Sequence, residues 1–266
     1  MPLLAAKVPE ITVLFWVIKL VTTFMGEATS DYLGDGNVAV GAVVELGLVV
    51  AAAWIQFRTR RYVAAAYWFL AMAIAVFGTG ASDTLHIVLG IPYAGTTILW
   101  AVILGGIFWR WHRSEGTLSI HSVTTRRREI YYWSTVFATF ALGTALGDFT
   151  AAVLDLGFLT SGLMFTGLIL IPAVAWWRFD LNPIGAFWFA YVLTRPLGAS
   201  FADYVSKPHS LRGANFGDGP TSAVSAIVLL ALVAYVSVTR KDVQRPDADQ
   251  PDSRLSLQTE PEDQLA

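Results

Sequence analysis

Lys19, Thr22, Thr23, Gly26, Glu27, Ser30 and Asp31 recur at steps of three and four near the start of the chain. On an α-helix that spacing gathers them on one face, opposite Val17, Leu20, Val21, Phe24 and Ala28. An ammonium, hydroxyls and two carboxylates on one stripe suit cation or proton binding, with Lys19 as a built-in counter-ion. A charged stripe within lipid is expensive and normally faces a partner or a wet cavity. Arg195, Glu45, Asp83, Asp148 and Asp203 extend the group. Two cations then stand against six carboxylates, so protons or cations are expected to bind there, unless several of the Asp lie outside in water. The predicted substrate or proton pathway is Lys19, Thr23, Glu27, Asp31, Glu45, Asp83, Asp148, Arg195 and Asp203. His86 follows Asp83 by three residues, so a divalent site of oxygen and imidazole ligands is expected among Glu27, Asp31, Asp83 and His86. A bound cation of unspecified identity is the one cofactor foreseen. The bland alternative is a salt-bridge network that ties the first and last parts of the chain together.

The elements that must position these residues span a membrane. Of 266 residues, 55% are apolar and 14% charged, and ten are Trp. A soluble domain is nearer one quarter charged, and the mean hydropathy is +0.55. Eight segments have the length and apolarity to cross hydrocarbon: 11–33, 37–57, 62–85, 93–112, 130–153, 158–178, 183–206 and 220–239. The first is too polar at its far end, and too poor in a small-residue cleavage site, for a removable signal peptide. Basic residues follow the even segments at Arg58, Arg60, Arg61, Arg110, Arg113, Arg126, Arg127, Arg128, Arg178, Arg240 and Lys241. Between odd and even segments only Lys207 and Arg212 occur, which predicts cytoplasmic termini. Residues 241–266, with three basic and seven acidic residues, are expected to be a disordered acidic tail.

The chain repeats itself. Phe15-Trp16, Tyr67-Trp68, Tyr132-Trp133 and Phe187-Trp188 open the odd segments. Fifteen residues after each Trp stands an Asp: Asp31, Asp83, Asp148 and Asp203. Five residues before each Asp is a Gly: Gly26, Gly78, Gly143 and Gly198. The expected fold is an all-α polytopic membrane protein of eight helices in one domain, residues 1–240. Its four parallel two-helix repeats, about 11–58, 62–112, 130–178 and 183–240, are related by a pseudo-twofold or pseudo-fourfold axis along the membrane normal. The Gly, with the small residue before each Asp, suits close helix packing. The alternative is an unwound segment that exposes carbonyls to an ion, with Pro196 favouring a kink. The Trp residues are expected to anchor the membrane interface. Each Asp caps the next loop or belongs to a ring of carboxylates.

This spacing resembles a bacterial membrane-protein family of four tandem repeats of unknown function, each with two transmembrane stretches and a characteristic Trp, here Trp16, Trp68, Trp133 and Trp188. The resemblance spans residues 11–240. It implies the fold and a multi-pass place in the bacterial cytoplasmic membrane, and it brings no substrate or catalytic residues.

Several classes are excluded. There is no Cys, hence no disulfide or thiolate site. No Walker loop, dinucleotide fingerprint or zincin motif is present. His112, His121 and His209 fall in loops, against a bis-His haem bundle. Net charge is −2, which disfavours nucleic acid as a partner. The expected partners are the bilayer and a small solute. Not an enzyme, the chain is expected to be a secondary transporter or exporter of a small solute, a cation foremost, proton-coupled through Glu27 and Asp31. A cation channel and a non-transporting scaffold or sensor are the alternatives.

Overall fold

The computed structural model describes residues 6–179 and 182–244. Most of the acidic tail, from 245 onward, lies outside these residues. All the regular structure described is helical: α1 (Val13–Gly36), α2 (Val38–Arg58), α3 (Ala64–Asp83), α4 (Tyr93–Glu115), α5 (Arg126–Asp148), α6 (Gly157–Phe179), α7 (Pro183–Ser206) and α8 (Asp218–Thr239).

Local signals set the helix ends. Thr12, Asn37, Thr125 and Asn182 cap α1, α2, α5 and α7 by accepting backbone N–H bonds, and Pro183 opens α7. Gly116, at φ +72°, closes α4 in the left-handed conformation that favours glycine. After Asp83 and after Asp148 the backbone widens into single π-helical stretches, Thr84–Val88 and Phe149–Val153. The chain passes through Pro196 without leaving the helix, so α7 is continuous and the alternative of an unwound segment does not hold there.

Among the described residues, six helices are long and apolar enough to cross a membrane: α1, α2, α3 with its π extension, α4, α5 with its π extension, and α8. The chain is therefore read as a membrane protein. The described apolar part of α6 is the shorter Gly157–Pro172 stretch. α7 carries Arg195 and Asp203.

The odd helices pack in a closed ring, α1 on α3, α3 on α5, α5 on α7 and α7 on α1. The even helices clothe it: α2 packs chiefly on α3, α4 on α5, α6 on α7 and α8 on α1. Each even helix thus leans on the odd helix that opens the next repeat, and the last returns to the first. Exposure separates the two sets. The apolar windows of α1, α3 and α5 are 56–67% buried, and those of α2, α4 and α8 only 17–22%.

The glycines permit this ring. A β-carbon at Gly26 would overlap Ala75, one at Gly78 Phe140, one at Gly143 Arg195, and one at Gly198 Thr23. Each glycine meets the residue seven places after the Trp of the next odd helix. Close helix packing in lipid depends on such small contacts.

Three of the four repeat Trp side chains are core residues and not interface anchors. Trp68, Trp133 and Trp188 are buried and Trp16 is half-buried. They pack with Phe15, Tyr67, Tyr132, Phe187 and Tyr191 into an aromatic stack that fills one end of the ring. The Tyr67 and Tyr132 hydroxyls hydrogen-bond each other. The cause is the closed ring, whose small glycine contacts leave a core at the Trp end that large rings must fill. The N-terminal segment crosses this end, where Lys7 pairs with Glu129 at 2.5 Å and donates to the Gln56 carbonyl at 3.1 Å. The opposite end carries the four Asp residues.

Candidate functional site

Between the two ends the odd helices present their residues in layers. Nearest the aromatic stack, the Lys19 ammonium is fully buried and has no hydrogen-bond partner among the described residues. It rests on the ring faces of Phe140, 3.8 Å from the centroid, and Tyr191, 4.2 Å, a cation–π arrangement.

One turn further stands Arg195, wholly buried. Its guanidinium reaches every odd helix. It donates to the Thr23 carbonyl of α1 at 2.8 Å, to the Glu27 carboxylate, to the Thr79 hydroxyl of α3, and to the Thr144 hydroxyl of α5 at 2.8 Å. Glu27, Thr79 and Thr144 occupy the same place in the first three repeats, eleven residues after the Trp; the fourth holds Ala199. Three groups at the equivalent repeat position thus converge on one guanidinium nitrogen, Nη2, while Nη1 takes the Thr23 carbonyl and Nε has no hydrogen-bond partner among the described residues.

The Asp layer opens into a cavity of about 510 Å³ whose lining includes Glu27, Asp31, Asp83, Asp148, Asp203, Tyr93, Asp155, Lys207 and Arg212. Its charges are unequal. Lys207 pairs with Asp31 at 2.7 Å and with Asp218 at 3.2 Å. Burial pulls the Lys207 pKa down, but the carboxylates of Asp31, Asp203 and Asp218 overcome it and hold Lys207 above the ordinary lysine value. The surrounding carboxylates thus favour its charged form. Arg212 pairs with Asp155 at the exposed rim, at 3.2 Å. Among the described residues, Asp83, Asp148 and Asp203 have neither an ion-pair partner nor a side-chain hydrogen bond. Glu27, Asp148 and Asp203 each bring one carboxylate oxygen within 4.8 Å of the other two. Oxygens so spaced fit around one hard cation, whose ligand distances run about 2.0–2.6 Å.

The structure gathers most of the sequence-predicted residues and sorts them. Glu27 and Arg195 form a buried pair, with Thr23 contributing its carbonyl. Asp31 pairs with Lys207 on the wall of the cavity that Glu27 also lines. Glu45 is buried beside Ser30, outside the main cavity. His86 does not join the carboxylates. Its Nδ1 lies 2.8 Å from the Ile91 carbonyl and its ring stacks on Tyr93. The three-residue step from Asp83 loses its meaning where α3 widens into the π turn. Asp31 and Asp83 line the cavity but stand outside the close trio, in which Asp148 and Asp203 join Glu27.

Sequence reading passes over Lys207, Thr79 and Thr144 as site residues. The signals are present, since Lys207 is one of two basic residues between odd and even segments and the threonines hold the Glu27 place. Lys207→Gln removes one cation from the cavity wall. Mn2+ titrated into the purified protein is expected to bind about fivefold more tightly in that variant, on the order of 1 kcal/mol for a charge at this range. Weaker binding would mean that Lys207 holds the cavity in shape.

The Repeat of Unknown Function (DUF347) matches residues 14–62, 66–117, 131–181 and 186–242. The chain belongs to this repeat family. Each DUF347 segment holds one Trp, Gly and Asp set, so the layers of the ring are four copies of one repeat position apiece. No curated protein and no solved structure matches the chain.

Proposed function

We propose that this DUF347 protein is a secondary transporter or exporter of a small cation, coupled to protons through intramembrane carboxylates. It lies in a bacterial inner membrane as eight spans with both termini cytoplasmic. Its four parallel repeats surround a pseudo-fourfold axis along the membrane normal. The closed ring of odd helices and the recurring glycine contact support that symmetry. The low apolarity of α7 fits a helix whose Arg195 faces the axis and not lipid. Arginines after the even helices support the orientation. The carboxylate cavity then opens to the outside, and the aromatic stack closes the cytoplasmic side.

The observation that carries the reading is the trio Glu27, Asp148 and Asp203 around an ion-sized space. Three carboxylates beside one guanidinium leave two negative charges, the complement of a divalent cation. All-oxygen ligands favour Mg2+, Ca2+ or Mn2+ over softer ions. Arg195 stays against Glu27 when the site is vacant and shares that carboxylate when a cation enters, so Glu27 always keeps a positive partner. A cation channel is disfavoured. Arg195 touches all four odd helices and so sits on any central path, with Lys19 behind it.

Mn2+ uptake into proteoliposomes tests this. Asp148→Asn and Asp203→Asn are each expected to slow it about tenfold or more, as loss of a metal-site group does. Asp155→Asn, at the rim, is expected to leave the rate near wild type. Equal losses from all four repeated Asp residues would favour a channel ring. Undiminished flux in Asp203→Asn would remove the trio from the pathway.

A further inference from the structure

A second cavity, of about 250 Å³, branches from the first. Asp31, Asp83 and Lys207 line both, and Glu45 lines only the second. Glu45 stands on α2, the helix outside the ring, yet its side chain is 4% exposed. It reaches inward because Gly80 of α3 has no side chain, and a β-carbon there would overlap the carboxylate. Ser30 of α1 donates to Glu45 Oε1 at 2.7 Å. The charged groups around it are Glu27, Asp31 and Asp35 of α1, Asp83 of α3, and Lys207 beyond α7. Lys207 is committed to Asp31 and Asp218, so no cation pairs with Glu45 among the described residues.

The first repeat therefore carries a buried carboxylate with one hydroxyl partner and no counter-ion, held apart from the cation trio. Sustained as a bare charge at that depth it is costly. Among the described residues the carboxylates that converge within reach of one ion are Glu27, Asp148 and Asp203, and Glu45 is not one of them. These features suit a proton and not a metal ion, which would need several ligands converging.

We infer that Glu45 is the proton-coupling site of this carrier, distinct from the cation trio and joined to it through the side cavity by Asp31 and Asp83. This rests on the transporter reading and deepens it. Glu45 takes a proton from water of the outer cavity, forming its O–H bond, and returns it to water when the cation site changes occupancy. Asp83, shared by both cavities, carries the electrostatic link: a cation at the trio lowers the negative potential that favours the proton at Glu45.

Glu45→Gln keeps the shape and the Ser30 hydrogen bond while removing the titration. In proteoliposomes it is expected to retain Mn2+/Mn2+ exchange at zero pH gradient. Mn2+ accumulation driven by an imposed pH gradient is expected to fall about tenfold or more, the scale of coupling between two sites. Infrared difference spectra on alkaline titration are expected to lose one protonated-carboxyl band in the variant. Ser30→Ala, a milder change, is expected to move the pH profile of gradient-driven flux and leave exchange alone. Wild-type gradient-driven flux in Glu45→Gln, or an unchanged infrared spectrum, overturns the proposal. Loss of exchange together with driven flux in a well-folded variant also overturns it, since Glu45 would then belong to the cation path. A wild-type protein that moves no Mn2+, Mg2+ or Na+ by either route refutes the transporter reading itself, while the infrared arm still reports whether Glu45 holds a proton.

Discussion

Arg195→Met is expected to unfold the bundle under conditions where the wild type is stable, and neutralising Glu27 in the same chain is expected to rescue much of the loss. The guanidinium, carried on α7, reaches the other three odd helices at one level. Methionine fills part of its volume but leaves the buried Glu27 carboxylate with no cation and the Thr79 and Thr144 hydroxyls without their shared donor. Breaking one side of a buried pair costs about 3–5 kcal/mol, which in a chain of this size corresponds to a fall in Tm of about 10 °C. The double variant Glu27→Gln/Arg195→Met removes both charges, so it is expected to melt closer to the wild type than Arg195→Met alone. Arg195→Lys is expected to fall between them, because one ammonium keeps the charge but cannot supply both the Nη1 bond to the Thr23 carbonyl and the Nη2 bonds to Glu27, Thr79 and Thr144. Thermal unfolding in detergent, read by intrinsic Trp fluorescence, measures the set. Strict additivity of the two single changes would show that the pair does not tie α7 to α1. Rescue of the fold without rescue of flux is the further expectation, since the double variant has lost a trio ligand.

The repeat is legible in the sequence because helix geometry converts a fixed residue spacing into a fixed place in space. A Gly ten residues after each Trp has the same height in each odd helix, so four such helices in a ring bring four glycines to four equivalent contacts. The stripe on α1 is legible for the same reason. Partnership is not. Glu27 and Arg195 are 168 residues apart, and which charges meet depends on the ring closing α7 onto α1. The burial of the Trp residues is hidden too. An aromatic at the end of a span serves an interface or a core equally well, and only the neighbours decide. His86 falls away from the carboxylates because a π turn changes the angular step after Asp83, and the sequence carries no clear mark of that turn. Nor does an even segment declare that it will lean on the following repeat: its apolar surface faces lipid and protein alike, without the polar contrast that marks a soluble amphipathic helix.

The glycine ring makes the second large prediction, and it separates the repeated glycines from those that only occupy helical positions. Gly26→Val is expected to abolish the folded protein, or to lower its Tm by more than any single carboxylate change outside the Arg195 pair. At Gly26 even a β-carbon meets Ala75, including backbone carbon at 2.9 Å. Backbone has no rotamer to escape into, so α1 and α3 must separate. Overpacking of a filled core ordinarily costs about 1–3 kcal/mol, and here the displacement also pulls on the guanidinium that spans the ring one level away. At Gly47 and Gly106, in α2 and α4, a β-carbon would meet nothing within 4 Å. Gly106→Val and Gly47→Val are therefore expected to leave Tm and size-exclusion profile near those of the wild type, within about 0.5 kcal/mol. All three changes replace Gly by the same β-branched residue in a helix, so their intrinsic propensity effects are alike and cancel in the comparison. What remains is the contact with the neighbouring odd helix. If Gly26→Val and Gly106→Val behaved alike, the close approach of α1 and α3 would be wrong. The layers of Arg195 and the carboxylate trio, which depend on that approach, would have to be redrawn with it.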